Sequence, residues 1–293
     1  MTVSTAETVT VDGFVLNTYA YNISTLSGRL SGPTVRTKNV EIPGKHGTLR
    51  VRNKKFQEGM FTLTMWVKGA LPDGSIPSQK ISRRLFYENV DMLMQIFSRR
   101  TGLLNIQQVM PDGSVRQCFG EVLAIVDPAS TSSNPLAKFN VAMTLPDVFW
   151  SDLNPVTYTS PVGLPVSEVL TLTPFIGATA PMEDLQITVT GLCSQFKIQA
   201  LENGQPLEVD CWVNYNASVG STSTLTLNSG GWTLGHSGGS TPSVGNVTHS
   251  GSAFWMSLPP GPQNTAPQVK WTCANPDSHT QVSITGSRKY VVV

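Results

Sequence analysis

The stretch "VEIPGKHGTLRVRNKKFQEGMFTLTMWVKG", Val40 to Gly69, decides how the fold is read. Its last third alternates. Phe61, Leu63, Met65 and Val67 are apolar, with Thr62, Thr64, Trp66 and Lys68 interleaved. Successive side chains of a strand point to opposite faces, so the pattern predicts a strand with one face buried and the other wet or turned to a neighbour. Leu49 and Val51 alternate with Arg50 and Arg52 in the same way, after a Gly44–Gly47 segment that can turn the chain sharply. Lys45, Arg50, Arg52, Lys54 and Lys55 fall within eleven residues, with His46 among them and no acid until Glu58. A nucleic-acid platform interleaves aromatics with such cations, and only Phe56 is near. A strand edge kept soluble by cations, or a contact with another subunit, fits the pattern better.

Outward from this stretch, the chain of 293 residues has room for two ordinary β domains. Charged residues make up only 13%, and the formal net charge is +1, which excludes a polycation built for non-specific DNA binding. Residues 1–152 hold 16 Lys+Arg against 12 Asp+Glu, a balance of +4; residues 153–293 hold 4 against 7, a balance of −3. The start "MTVSTAETVT" has neither a basic nor an apolar signal region, and no apolar run is long enough to span a bilayer, so a soluble protein made in the cytoplasm is expected. The cysteines at 118, 193, 211 and 273 form no CxxC pair, and buried free thiols are the expectation.

One strong helix is predicted, over 78–100. Phe86, Val90, Leu93 and Phe97 recur at helical spacing, widened by Leu85, Met92 and Ile96, with Ser78 as cap and Gly102 as stop. Strand-like runs flank "PDGS" at 111–114, and "FNVAMTL" puts Phe139, Val141, Met143 and Leu145 on one face. Prolines crowd 153–181, read as a linker or an irregular edge, and a domain boundary is placed near 152. Beyond it the chain reads as all-β. Asn203-Gly204 marks a hairpin, and 228–251 reads as a Gly/Ser/Thr loop. The fold class is mainly β with one principal helix, the second domain a β-sandwich.

No catalytic set emerges. "GHSGG", Gly235 to Gly239, fits the nucleophile elbow, but that motif needs a helix after the serine and "STPSVGNV" follows. The histidines lack metal-ligand spacing, so neither cofactor nor metal is expected. Trp232 and Trp255 are candidates for stacking on a glycan, against the alternative that sandwich tryptophans belong to the core.

The ordered pieces resemble the distal tail proteins of siphophages. "EIPGKHGTL" looks like that family's Pro-Gly-x-x-Gly turn; the strand "FTLTMWVKG" and the helix follow in order. "LPDVFW" resembles the close of its first domain, with Val148 where proline is frequent. "DLQITVTG", "LEVD", "FWMSLPPGPQN" and "VKWTC" resemble its galectin-like domain. The resemblance covers nearly the whole chain. It implies a structural, non-enzymatic virion protein at the tail tip, assembled in the host cytoplasm. Residues 1–152 would be a tail-tube-like belt domain forming a six-fold ring around a DNA channel, and residues 153–293 a galectin-like sandwich. Implied partners are the protein itself, the tail-tube protein, the tail-tip hub, and receptor-binding proteins or host glycans, with no membrane insertion. A tail-tube or other minor tail protein, or a carbohydrate-binding adhesion module, is the alternative. On this reading Lys45, His46, Arg50, Arg52, Lys54, Lys55 and Trp66 are expected at a subunit interface.

Overall fold

The computed structural model describes residues 8–27, 34, 36, 40–41, 48–49, 56–98, 102–126, 135–238 and 241–291. Two compact units divide the chain, the first running to Ser151 and the second covering Asp152–Tyr290.

The first unit contains β1 (Val9–Val11), β2 (Phe14–Val15), β3 (Tyr21–Ser27), β4 (Val40–Glu41), β5 (Thr48–Leu49), β6 (Gly59–Lys68), α1 (Gln79–Phe97), β7 (Leu104–Val109), β8 (Val115–Val126) and β9 (Leu136–Leu145); β10 (Trp150–Asp152) carries the chain across the boundary. The sheet runs β2-β1-β7-β8-β9-β6-β3. β6 is its longest-paired strand, matched to β9 from Gly59↔Leu145 through to Lys68↔Leu136. The predicted alternation is realised: Phe61, Leu63, Met65 and Val67 are buried, opposite Met143, Val141, Phe139 and Ala137, all buried as well. β4 and β5 form a two-stranded ribbon with Val40 opposite Leu49. The closing "LPDVFW" has a packing reason. Phe149 meets Phe56 edge-on at 5.5 Å, and buried Trp150 meets Phe61 at 6.0 Å. Val148 takes φ 63°, a left-handed conformation closed to proline.

The helix is shorter than its sequence signal. It stops at Phe97, with Ser98 in the C-cap position donating its N–H to Met94 O, so Gly102 is not its stop; Arg99 and Arg100 lie outside the described residues. Ser78 holds the N-cap position but its side chain makes no capping hydrogen bond. Only Ser82, Leu93 and Phe97 are buried, and the flanking Ile81 and Met92 are exposed. What docks the helix is the end of β6. Ser82 Oγ donates to Gly69 O at 2.7 Å, Asn89 Nδ2 donates to Lys68 O at 2.7 Å, and Tyr21 Oη donates to Asn89 O at 3.1 Å. A Cβ at position 69 would run into the carbonyl oxygen of Ser82.

The second unit comprises β11 (Val156–Thr159), β12 (Ser167–Thr171), β13 (Gln186–Thr190), β14 (Gln195–Glu202), β15 (Gln205–Pro206), β16 (Trp212–Tyr215), β17 (Thr224–Asn228), β18 (Thr233–Ser237), β19 (Val247–His249), β20 (Gln268–Ala274), β21 (Gln281–Gly286) and β22 (Lys289–Tyr290). One sheet runs β11-β21-β13-β17-β18 and the other β12-β20-β14-β16-β19, with β15 beside β14. Alternating inner residues such as Ile187, Val189, Leu225, Leu227, Val269 and Trp271 make a shared core. Phe196 stacks on Trp271 at 5.6 Å within it. Asn203 and Gly204 both have positive φ, 50° and 76°, as a two-residue type I′ hairpin requires.

Of the two readings of the proline-rich 153–181, the edge is the one found: it supplies β11 and β12, each at the edge of its sheet, with its prolines outside the two strands. Two sequence expectations are corrected here. The 228–251 segment holds two strands, β18 and β19, paired to β17 and β16. Cys193 and Cys273 are joined in a disulfide with Cα atoms 6.0 Å apart, because β14 and β20 are neighbours in the sheet; Cys118 and Cys211 take no part in it.

The two ends of this unit are fastened together. Asp152 accepts from Arg288 Nε at 2.6 Å and from Tyr290 Oη at 2.9 Å, and its N–H donates to Arg288 O. The Asp152 side chain is 9% exposed and that of Arg288 29%. Asp152→Ala leaves the guanidinium and the phenol without their shared acceptor and is expected to cost about 2–3 kcal/mol, somewhat below a fully buried pair. Urea unfolding followed by Trp fluorescence measures it. Gly69→Ala is expected to cost about 1–3 kcal/mol through forced displacement of the helix, with a matching fall in thermal midpoint.

Candidate functional surfaces

Of the residues expected at a subunit interface, Lys45, His46, Arg50, Arg52, Lys54 and Lys55 lie outside the described residues, while Trp66 is described. Trp66 stands on the β6 face opposite the core, between Asn22 of β3 and Lys138 of β9. It is half-buried, with the Lys138 ammonium 5.8 Å from its ring centroid. Around it, the same face carries Thr62, Thr64, Asn140, Ala142 and Thr144, and Thr64 Oγ1 donates to Asn140 Oδ1 at 2.8 Å. This face is polar with sparse charge, its described charges on β6, β8 and β9 being Lys68, Lys138 and Glu121. The unit also exposes large apolar side chains that its own core leaves uncovered: Met60 at 69%, Ile76 at 76%, Tyr87 at 65% and Leu123 at 55%. Ile76, Pro77, Pro135 and Leu136 line a cavity of about 430 Å³ beside the start of α1.

The two glycan candidates part company. Trp255 is 1% exposed and belongs to the core of the sandwich, so it has no face to offer a sugar; the expectation is corrected. Trp232 is 38% exposed, but both its edges are in use. Its Nε1 donates to Ala253 O at 3.0 Å, and His249 meets its ring edge-on at 4.9 Å. Trp212, on β16, is half-buried, with its Nε1 donating to Glu208 O at 3.0 Å and the Lys197 ammonium 4.8 Å from its ring centroid. It was one of four tryptophans in the second half. Strand register distinguishes it from the buried Trp271; the buried Trp255 lies outside the strands, between β19 and β20.

Gly235 to Ser237 of the nucleophile-elbow match are strand. Ser237 ends β18 opposite Thr224, and the described residues after it form only a 3-10 turn at Val244–Asn246, so no helix N-terminus stands behind the hydroxyl. Among the described residues no cluster of His, Cys, Asp or Glu is placed to hold a metal ion, and no helix is long and apolar enough to cross a membrane. Cys118 is buried, and desolvation lifts its thiol far above the usual range, with the Asp147 carboxylate adding to the rise. A thiol held neutral is inert at ordinary pH.

Trp255→Ala is expected to cost about 3–5 kcal/mol, as a large core side chain does. Trp232→Ala, on the surface, should cost far less in the same denaturation series. The native protein should not react at Cys118 with a thiol reagent at pH 8, and mass spectrometry of the labelled protein reads this directly.

No family model matches the chain, and no curated protein matches it. Among solved structures it is similar to the crystal structure of the Dit protein of phage SPP1, described as a paradigm of the hub adsorption apparatus in phages that infect Gram-positive bacteria. That likeness has a TM-score of 0.62 at 14% identity and covers 96% of this chain and 99% of that one. A weaker likeness, TM-score 0.43 at 7% identity, is to a chain of the phage P2 baseplate in its activated conformation with calcium, covering 98% and 100%. The chain therefore shares the fold of the SPP1 hub protein over nearly its whole length.

Proposed function

We propose that this chain is a structural protein of a siphophage tail tip, a distal tail protein that joins the tail tube to the adhesion apparatus. The fold likeness to the SPP1 hub protein, spanning both units, carries the reading. The ordered sequence resemblance, from "EIPGKHGTL" to "VKWTC", supports it independently of the fold. On this reading the first unit is the belt domain of a six-fold ring, and DNA passes through its channel without specific contacts. The polar, sparsely charged face around Thr62, Thr64 and Asn140 suits a wall that must not hold a polyanion. The exposed Met60, Ile76 and Tyr87 suit a unit that is completed by neighbours. A ring joins unlike patches head to tail, so each subunit needs two different surfaces. The 40–69 segment, with Lys45, His46, Arg50, Arg52, Lys54, Lys55 and Trp66, is assigned to one of them. The second unit is a galectin-like sandwich turned toward the tail-tip hub, receptor-binding proteins or host glycans. The protein acts in the virion, without enzymatic activity.

Negative-stain images of the purified protein should show closed rings with a central hole. Long tubes would favour the tail-tube alternative, and monomers at every concentration would overturn the ring. Reversing charge at Arg50, Arg52, Lys54 and Lys55 should weaken assembly by roughly tenfold or more in subunit concentration at low salt, with less effect at high salt. Native mass spectrometry follows the oligomer, and an unchanged distribution removes this segment from the interface.

A further inference from the structure

The outer face of the β12-β20-β14-β16-β19 sheet has an organisation that ring assembly does not use. Registered pairs place Ser167, Thr272, Lys197, Asn214 and Thr248 in one row across all five strands. Every member carries a hydroxyl, amide or ammonium group. Asn214 Nδ2 donates to Thr248 Oγ1 at 3.1 Å, which orients the amide at one end of the row. A shallow groove of about 240 Å³ lies over the row, lined by Ser167, Gln195, Lys197, Asn214 and Thr272, with Lys197 the single charged side chain on it. Trp212 borders the groove two residues along β16 on the same face, opposite Gln199, its indole fixed by Glu208 O and its ring under the Lys197 ammonium.

The charge of the unit sharpens this. Asp152–Tyr290 contains four cations, Lys197, Lys270, Arg288 and Lys289. Arg288 is paired with Asp152 and Lys289 with Asp184. The other two stand on the groove's face, Lys270 in the next row beside Gln199, and neither lies within ion-pair distance of a carboxylate among the described residues. Glu208, on the segment before β16, accepts from Gln199 Nε2 in that second row, and Glu168 of β12 is paired with the buried Trp271, on the opposite face. In a unit with excess negative charge, the positive charge not already matched is thus collected on one sheet face.

We propose that this groove binds an anionic glycan, a chain of sugar or polyol units bearing phosphate or carboxylate. Lys197, its ammonium held over the Trp212 ring, meets the anionic substituent, and Ser167, Thr272 and Asn214 exchange hydrogen bonds with hydroxyls. Neighbouring strands lie about 4.8 Å apart, so the row presents polar groups at a repeat close to that of a sugar chain laid across the strands. The lining mixes the uncharged polar Ser167, Gln195, Asn214 and Thr272 with the apolar Val166, Phe196, Cys273 and Ala274, which suits a sugar's hydroxyls and C–H faces together. This proposal stands whether or not the ring reading does.

The test uses the full chain and biolayer interferometry at 50 and 300 mM salt, with immobilised poly(glycerol phosphate), oligogalacturonate, dextran and poly-L-glutamate. Binding to one or both anionic glycans is expected, at least tenfold weaker in Lys197→Gln and in Asn214→Ala, with thermal midpoints unchanged. Which of the two binds tells phosphate from carboxylate. Higher salt should weaken the interaction. Binding to neither anionic glycan overturns the proposal, as does equal binding by both variants. Equal capture by poly-L-glutamate would reduce the face to a charge trap and also overturn it; equal capture by dextran would remove the role given to Lys197.

Discussion

The first unit turns on the approach of a helix to a strand end where there is no side chain to stop it. Gly69 follows β6, and the carbonyl of Ser82 occupies the space that a Cβ would take. With the backbones that close, Ser82 Oγ and Asn89 Nδ2 reach the last carbonyls of the strand region, and Tyr21 closes the set on Asn89. Leu93 and Phe97 are thereby set into the core. The helix thus docks by polar contacts at one end and by two large side chains at the other, and its Ile81–Met92 flank stays open. Burial of this uneven kind suits a unit that packs against more than itself.

The second unit solves the same problem without a helix. Its two sheets cover one another, and its wet face is held by hydroxyl pairs across strands: Thr157 with Thr285, Thr159 with Ser283, Thr188 with Thr226, Thr190 with Thr224. Such pairs each contribute a few tenths of a kcal/mol to about 1 kcal/mol and need no charge, which accounts for four cations sufficing over Asp152–Tyr290.

What was legible in the sequence was what one physical cause determines alone. The alternation of Phe61 to Val67 is burial on one side of a strand, and Asn203-Gly204 is a demand for two positive φ values. What was not legible needed two causes at once. β18, "TLGHS", has one apolar residue and a glycine; it is a strand because β17 offers it an edge. Cys193 and Cys273 are 80 residues apart in sequence, and only the adjacency of β14 and β20 joins them. Trp212, Trp232, Trp255 and Trp271 look alike in the sequence; strand register turns Trp271 into the core and Trp212 out of it, while Trp255 is core through the path of the segment between β19 and β20. The signal for Trp212 was present in its alternation with buried Val213 and in the Lys197 paired to its neighbour Asn214, but it becomes readable only once the strands are aligned.

The clasp of Asp152 with Arg288 and Tyr290 brings the first and last residues of a unit of more than a hundred residues side by side. A module that starts and finishes at one spot behaves, for the rest of the polypeptide, like a long surface loop. It can be exchanged for another module of similar footprint without re-routing the chain. Mechanically, tension carried along the polypeptide would pass across the clasp and load those few bonds first, sparing the sandwich behind them. Asp152 is then the latch that closes the unit's two ends on one another.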